Sequence, residues 1–206
     1  MPSRTKRVFF GDYVFVVDEN VYEPAEDSFL FAENLDVKEG ERVLDMGTGC
    51  GILGILAAKK ASAVVAVDVN PYAVRCTKEN ATFNNVRGKM AFVQGDLFVS
   101  LSEKAKFDVI LFNAPYLPTE GEEDGSWLER AWTGGVIGRQ IIDRFISEAP
   151  KYLKQRGHIL LMQSTLALVD ETVYKFALRR MNVNVVAGRQ LPFFESITLL
   201  KATPCP

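Results

Sequence analysis

Short apolar runs alternate with amphipathic stretches along most of the chain, and the runs end in glycine, aspartate or asparagine. Val43 to Met46 is one such run, cut off by Gly47, Thr48 and Gly49, after which Ile52 to Lys60 has the spacing of a helix. The pattern is strand, glycine turn, helix. Ala63 to Val67 is a second β-rich run ending in Asp68, and Pro71 suits the first turn of a helix reaching about Asn84. Met90 to Val93 predicts a third strand, ending near Asp96, and Phe107 to Phe112 a fourth, followed by a long loop from Leu117 to Gly134. Ile141, Ile142, Phe145 and Ile146 mark the next helix, and His158 to Met162 the next strand. A helix over Leu166 to Met181 and strands over Val183 to Val186 and Ser196 to Leu200 complete the series. Such alternation predicts an α/β fold, a mostly parallel sheet with helices on both faces. The last two strands are joined by too short a segment for a crossover helix, so one of them is expected to run antiparallel.

Composition narrows the class without naming it. A chain of 206 residues suits one domain able to bury a core. No repeat or internal boundary interrupts it, so we expect a single domain over 1–206 with a short N-terminal extension over about the first 20 residues. Net charge of −2 and a pI near 5.6 leave no global basic footprint, which makes a nucleic-acid partner unfavoured. Cys50, Cys76 and Cys205 are an odd count at unrelated spacings, supporting neither a disulfide framework nor a metal site. No apolar stretch is long enough to span a bilayer, and the basic start lacks the apolar segment of a secretory signal, so a soluble cytoplasmic protein is expected. Arg4, Lys6 and Arg7 read as a solvated terminus, and the single histidine, His158, as structural.

The chemistry concentrates where strands end, the edge at which open α/β sheets bind ligands. Gly47, Gly49 and Gly51 follow the first strand, and glycines there let backbone approach a nucleotide-like ligand closely. Gly49, Gly51 and Gly54 also satisfy the dinucleotide spacing G-x-G-x-x-G. Asp45 decides between the two ligands, because a carboxylate just before the turn suits a positively charged group and repels a pyrophosphate. That favours S-adenosylmethionine. Asp68 can accept hydrogen bonds from both ribose hydroxyls, and Asp96 with Leu97 can flank an adenine. Asn113, Ala114, Pro115 and Tyr116 follow the fourth strand, and an amide, a carbonyl before proline and an aromatic ring suit a flat, neutral nitrogen nucleophile.

In these features the chain resembles the class I methyltransferases, whose fold is a Rossmann-like seven-stranded sheet with an antiparallel last strand. The turn at Asn113 to Tyr116 resembles the N-P-P-Y signature of enzymes that methylate planar amide or exocyclic amino nitrogens. Tyr22-Glu23-Pro24-Ala25-Glu26-Asp27-Ser28-Phe29-Leu30 and Arg130-Ala131-Trp132-Thr133-Gly134-Gly135, with Gly138-Arg139 beyond, are similar to segments of the archaeal and eukaryotic branch of the HemK-related glutamine methyltransferases. The resemblance runs from about Val21 to Lys201. It implies that Asp45, Gly47 and Ser28 contact the cofactor, that Asp68 holds the ribose and Asp96 with Leu97 the adenine, and that Asn113 meets cofactor and substrate alike. It also implies a substrate, the glutamine of a Gly-Gly-Gln loop in a class 1 peptide chain release factor, and a small zinc-containing activator of the Trm112 type. Some members of the branch are linked to lysine methylation.

The residue types support a mechanism of holding rather than deprotonating. Asn113 through its side-chain oxygen and Ala114 through its carbonyl could accept the two N–H bonds of an amide, aligning it for in-line displacement. Pro115 restricts Ala114 to extended geometry, and Tyr116 could pack on the flat amide. No metal is required. Ala114 stands where the signature usually has proline, and its added N–H needs a partner if buried. Glu120, Glu122, Glu123 and Asp124 could attract a basic partner, and Trp127 and Trp132 could line a substrate groove. Two other functions fit the same turn: an N6-adenine methyltransferase on RNA or DNA, and a non-catalytic cofactor-binding partner subunit.

Overall fold

Apolar runs bounded by turn residues become strands in the computed structural model, which describes residues 5–119, 125–192 and 195–206. The N-terminal stretch forms a hairpin, β1 (Thr5–Phe10) and β2 (Tyr13–Asp18), turning at Gly11 with φ 55°. Helix α1 (Glu26–Glu33) leads to β3 (Arg42–Met46), α2 (Ile52–Ala57), β4 (Ala63–Asp68) and α3 (Pro71–Phe83). Then come β5 (Met90–Gln94), β6 (Phe107–Asn113), the short α4 (Trp127–Arg130), α5 (Gln140–Tyr152) and β7 (Leu153–Ser164). α6 (Val169–Ala177), β8 (Met181–Gln190) and β9 (Ser196–Pro204) close the chain.

The main sheet has seven strands in the order β5-β4-β3-β6-β7-β9-β8. β3 pairs in parallel with β4 on one side and β6 on the other, and only β9 runs against its neighbours, antiparallel to both β7 and β8. The expected fold is therefore present, with the last strand as the reversed one. Chain order departs in opposite directions from β3, toward β4 and toward β6, and this switch point opens a crevice at the strands' carboxyl ends. Register aligns them there: Met46 lies opposite Val67 and Phe112, and Asn113 opposite Met162.

The central strands are buried on both faces. Val43, Leu111, Leu160 and Met162 point to one side, packing with α2, α1 and the hairpin. Leu44, Ile110, Phe112, Ile159 and Leu161 point to the other, against Ile142, Phe145 and Ile146 of α5 and Phe176 of α6. Each such side chain contributes about 1.5–3 kcal/mol by burial. α3 holds the hairpin through two amides one turn apart: Asn80 accepts from Val16 N–H at 2.9 Å and donates to Val16 O at 2.9 Å, and Asn84 does the same with Val14 at 3.2 and 2.9 Å. The side chains thus continue the ladder where backbone pairing ends.

Several elements differ from the sequence expectation. The hairpin, α1 and α4 were not foreseen. The helix expected from Leu166 begins at Val169, because Leu168 adopts left-handed backbone (φ 53°) and breaks the run. β7 and β8 exceed the runs expected, since a strand paired with a long neighbour continues beyond its apolar residues. His158 lies within β7, its Nε2 3.9 Å from Asp36, with burial pushing its pKa down. Arg4 falls outside the described residues, as do Glu120, Glu122, Glu123 and Asp124. Among the described residues no helix is long and apolar enough to cross a membrane.

Candidate functional site

At the switch-point crevice, the ends of β3, β4 and β6, the start of α1 and the segment beyond Tyr116 enclose a cavity of about 470 Å³. That is the size of a pocket for one small organic molecule. Ser28, Gly47, Gly49, Asp68, Asp96, Leu97, Asn113, Ala114, Pro115 and Tyr116 line it. Asp45 does not.

Asp45 is 1% exposed and braces the glycine turn from behind. It accepts hydrogen bonds from the Thr48 hydroxyl at 2.6 Å and from Gly54 N–H at 3.0 Å. Burial pushes its pKa up to about 7 against the pull of those two bonds. Gly54 is needed for this brace, because a Cβ there would come 2.6 Å from Asp45 Oδ2. Gly49 turns with φ 58° and has no atom within 4 Å of the Cβ position, leaving room on the cavity side for a ligand to approach backbone.

Asp68 ties this turn to β4, accepting from Gly49 N–H at 2.9 Å and Asn70 N–H at 2.9 Å, and burial raises its pKa. Asn70 in turn caps α3 by accepting from Tyr72 N–H. Asp96 is half exposed and paired with Arg144 at 2.7 Å, a partner with no signal in the sequence. Beside it Leu97 adopts left-handed backbone, φ 48°, a conformation costing a branched side chain about 1–2 kcal/mol. Such strain at a cavity wall is characteristic of functional positions.

The corner at the end of β6 is built around a residue for which spacing gave no role, Asp27. Its carboxylate is 6% exposed and receives donors from four residues. Tyr22 OH (3.1 Å), Ser28 N–H (2.6 Å) and Ser28 OH (3.1 Å) reach Oδ1. Asn113 Nδ2 (3.0 Å) and Tyr116 OH (3.3 Å) reach Oδ2. Burial, and then the Asp27 charge, hold both tyrosine pKa values above their ordinary range, so the two hydroxyls stay protonated donors. Asn113 Nδ2 also reaches Ser28 Oγ at 3.3 Å. The Asn113 amide is therefore fixed with nitrogen toward Asp27, while its Oδ1 is buried with no hydrogen-bond partner among the described residues. An orphaned acceptor of this kind costs about 1–3 kcal/mol. Ala114 is 3% exposed, and its N–H reaches Met162 O at 3.4 Å, so β7 supplies the partner that a proline would not have needed.

The described residues on either side of 120–124 are docked on this turn. Leu117 N–H donates to Trp132 O and Gly134 N–H to Leu117 O, both at 2.9 Å. A Cβ at Gly138 would lie 2.2 Å from Tyr116 O, so only glycine lets the chain before α5 close on the turn. Arg139, 1% exposed, anchors it to α6 by donating to Leu168 O at 2.8 Å and Thr172 Oγ1 at 3.0 Å, and pairs with Asp143 at 2.8 Å. Trp127 and Trp132 lie on the cavity wall, with the Arg130 guanidinium 5.2 Å from the Trp127 ring.

Comparison with known proteins gives this geometry a lineage. Residues 27–114 match the family described as Ribosomal protein L11 methyltransferase (PrmA). A relative from Methanocaldococcus jannaschii, provisionally named a protein N5-glutamine methyltransferase, is 46% identical over 181 residues, 87% of this chain and 90% of the relative. Methyltransferase HEMK2 of Homo sapiens is 36% identical over 155 residues, 69% of this chain and 71% of the relative. Among solved structures, the E. cuniculi Mtq2–Trm112 complex responsible for methylating the eRF1 translation termination factor aligns with a TM-score of 0.69 over 90% of this chain and 99% of that one. At 24% identity that likeness shows the shared fold. The chain belongs to the HemK-related family of protein N5-glutamine methyltransferases, class I enzymes of S-adenosylmethionine.

Proposed function

We propose that this chain transfers the methyl group of S-adenosylmethionine to the side-chain amide nitrogen of a glutamine, in the Gly-Gly-Gln loop of a class 1 peptide chain release factor. The observation that carries this reading is the amide of Asn113, a residue of the cavity wall, oriented by Asp27 and Ser28 and left with a buried acceptor oxygen that has no hydrogen-bond partner among the described residues. The names of the M. jannaschii relative and of the Mtq2 complex support the substrate class.

The residues present fit the cofactor. Gly49 leaves open space at the turn, Asp68 sits at the end of β4 with its carboxylate at the wall, and Asp96 and Leu97 stand beside it. When bound, the cofactor supplies an electrophilic methyl carried on a sulfonium sulfur. In this reading Asp68 would accept from the ribose, Asp96 and Leu97 would flank the adenine, and Ser28, Gly47 and Gly49 would hold the rest of the cofactor. Asp45 acts through the turn that it braces. An amide nitrogen is a poor nucleophile, so it has to be held while its lone pair is redirected. Asn113 Oδ1 and the Ala114 carbonyl accept its two N–H bonds and stabilise the positive charge that grows as the carbon–nitrogen bond forms and the carbon–sulfur bond breaks. The cationic N-methyl amide formed is strongly acidic and loses its extra proton to solvent water, with no protein base needed. Pro115 keeps Ala114 extended, and Tyr116 offers its ring to the planar amide.

The proposal extends to one methyltransferase domain across the chain, a cytoplasmic setting and a Trm112-type zinc-containing partner. To test it, the protein is incubated with labelled cofactor and either release factor or RNA, with and without such a partner. Label on the glutamine of the release factor is the expected result. Label on RNA and none on protein overturns it.

A further inference from the structure

We infer that Asp27 is a positioning residue for methyl transfer, acting through the Asn113 amide rather than by touching the substrate. The inference rests on the acceptor chemistry proposed above. An asparagine amide can sit either way round, and only one orientation presents an oxygen to a nucleophile's N–H. Asp27 selects that orientation by charge: were the amide reversed, Asn113 Oδ1 would face a carboxylate oxygen now 3.0 Å from Nδ2. The carboxylate itself is occupied on both oxygens by Tyr22, Ser28, Asn113 and Tyr116, which leaves it no free side for a substrate cation. The corner thus offers a nucleophile neutral acceptors only, which suits a glutamine amide and not a lysine ammonium.

Placement supports the role. Asp27 stands in the first turn of α1, where the helix favours a negative charge. It is separated from Asn113 by 86 positions in the chain, and their contact joins α1 to the end of β6.

The test is a reciprocal exchange. In D27N the amide oxygen stays where Ser28 N–H (2.6 Å) and Tyr22 OH need an acceptor, so the new NH2 faces Asn113 and turns it over. With release factor as substrate, kcat is expected to fall at least about 10-fold while the cofactor Kd stays within about 3-fold. Combining D27N with N113D restores a donor–acceptor pair and leaves one carboxylate oxygen where Asn113 Oδ1 was, so kcat is expected to recover most of that loss. A D27N enzyme at wild-type kcat, or a double variant no better than the single ones, overturns the inference. If D27N does not fold, as its melting temperature would show, N113D alone decides. Two carboxylates then share the contact and need a common proton, so its kcat is expected to rise as pH falls from about 8 to about 6, and a flat profile overturns the inference. A wild-type protein that methylates no glutamine refutes the proposed function, whereas an active wild type with an unaffected D27N refutes the role of Asp27 alone.

Discussion

Two buried carboxylates, one on the cavity wall and one behind it, are used differently. Asp45 lies behind the glycine turn, held by Thr48 and Gly54 from its own strand–turn–helix unit. Asp27 lies on the wall and gathers Ser28 of α1 and Tyr22 before it, with Asn113 at the end of β6 and Tyr116 in the turn beyond. The Asp45 brace is a local construction whose partners are within ten positions; the Asp27 corner is a tertiary one. Damage to the first is expected to show as lost stability, and damage to the second as lost turnover in a folded protein.

The largest effect tests the Asp27 corner. Asn113→Ala removes the oriented oxygen and is expected to lower kcat by about 100- to 1000-fold with release factor substrate, measured by single-turnover label transfer. A variant within a few-fold of wild type would break the distinction. Next comes the brace: Gly54→Ala pushes a methyl to 2.6 Å from Asp45 Oδ2 and 3.2 Å from Met90, and should cost about 1–3 kcal/mol in a urea titration. Unchanged stability would mean that Asp45 is not pinned.

The third test uses pH. The Asp45 pKa is raised from an ordinary 3.8 to about 7 in the folded protein, so the folded state binds the extra proton between those values. Its favourable contribution is complete below about pH 4, declines as pH rises, and is gone above about 7. In Asp45→Asn the amide oxygen can keep both the Thr48 and Gly54 bonds, so the wild type should lose at least about 1 kcal/mol relative to the variant across that window. Parallel curves would remove Asp45 from the pH response. The smallest effect is at the rim. Arg144→Ala breaks a half-exposed pair with Asp96 and should change stability by less than about 1 kcal/mol in thermal melts. A larger loss would show that the rim, too, is structural.

How much of this was legible depends on distance along the chain. The strand ends at Met46, Asp68, Gln94 and Asn113 are readable because an apolar run stopped by a polar or glycine residue has one reading in a sheet buried on both faces. Asp68, Asp96, Leu97 and the Asn113 to Tyr116 turn follow from that and do line one cavity. Asp45 shows the limit: its position at the end of β3 was clear, but whether its side chain faces ligand or backbone depends on α2 closing over it through Gly54. Asp27 was less accessible still. An acid in the first turn of a helix is ordinary, and nothing nearby tells that Asn113 arrives beside it. The hairpin was missed for a related reason, since β2 is secured by Asn80 and Asn84 of α3, polar residues that carry no strand signal.

By itself, then, the sequence determined the alternation of strands and helices, the reversal of one of the last two strands and the edge at which ligands bind, because hydrophobic period and turn chemistry are local properties of neighbouring residues. Which way the Asn113 amide faces, what occupies Asp27 and where Asp45 points were decided only by tertiary structure. Hydrogen bonds between residues 86 positions apart come into being when the sheet has closed, and their direction depends on the charge that each finds there.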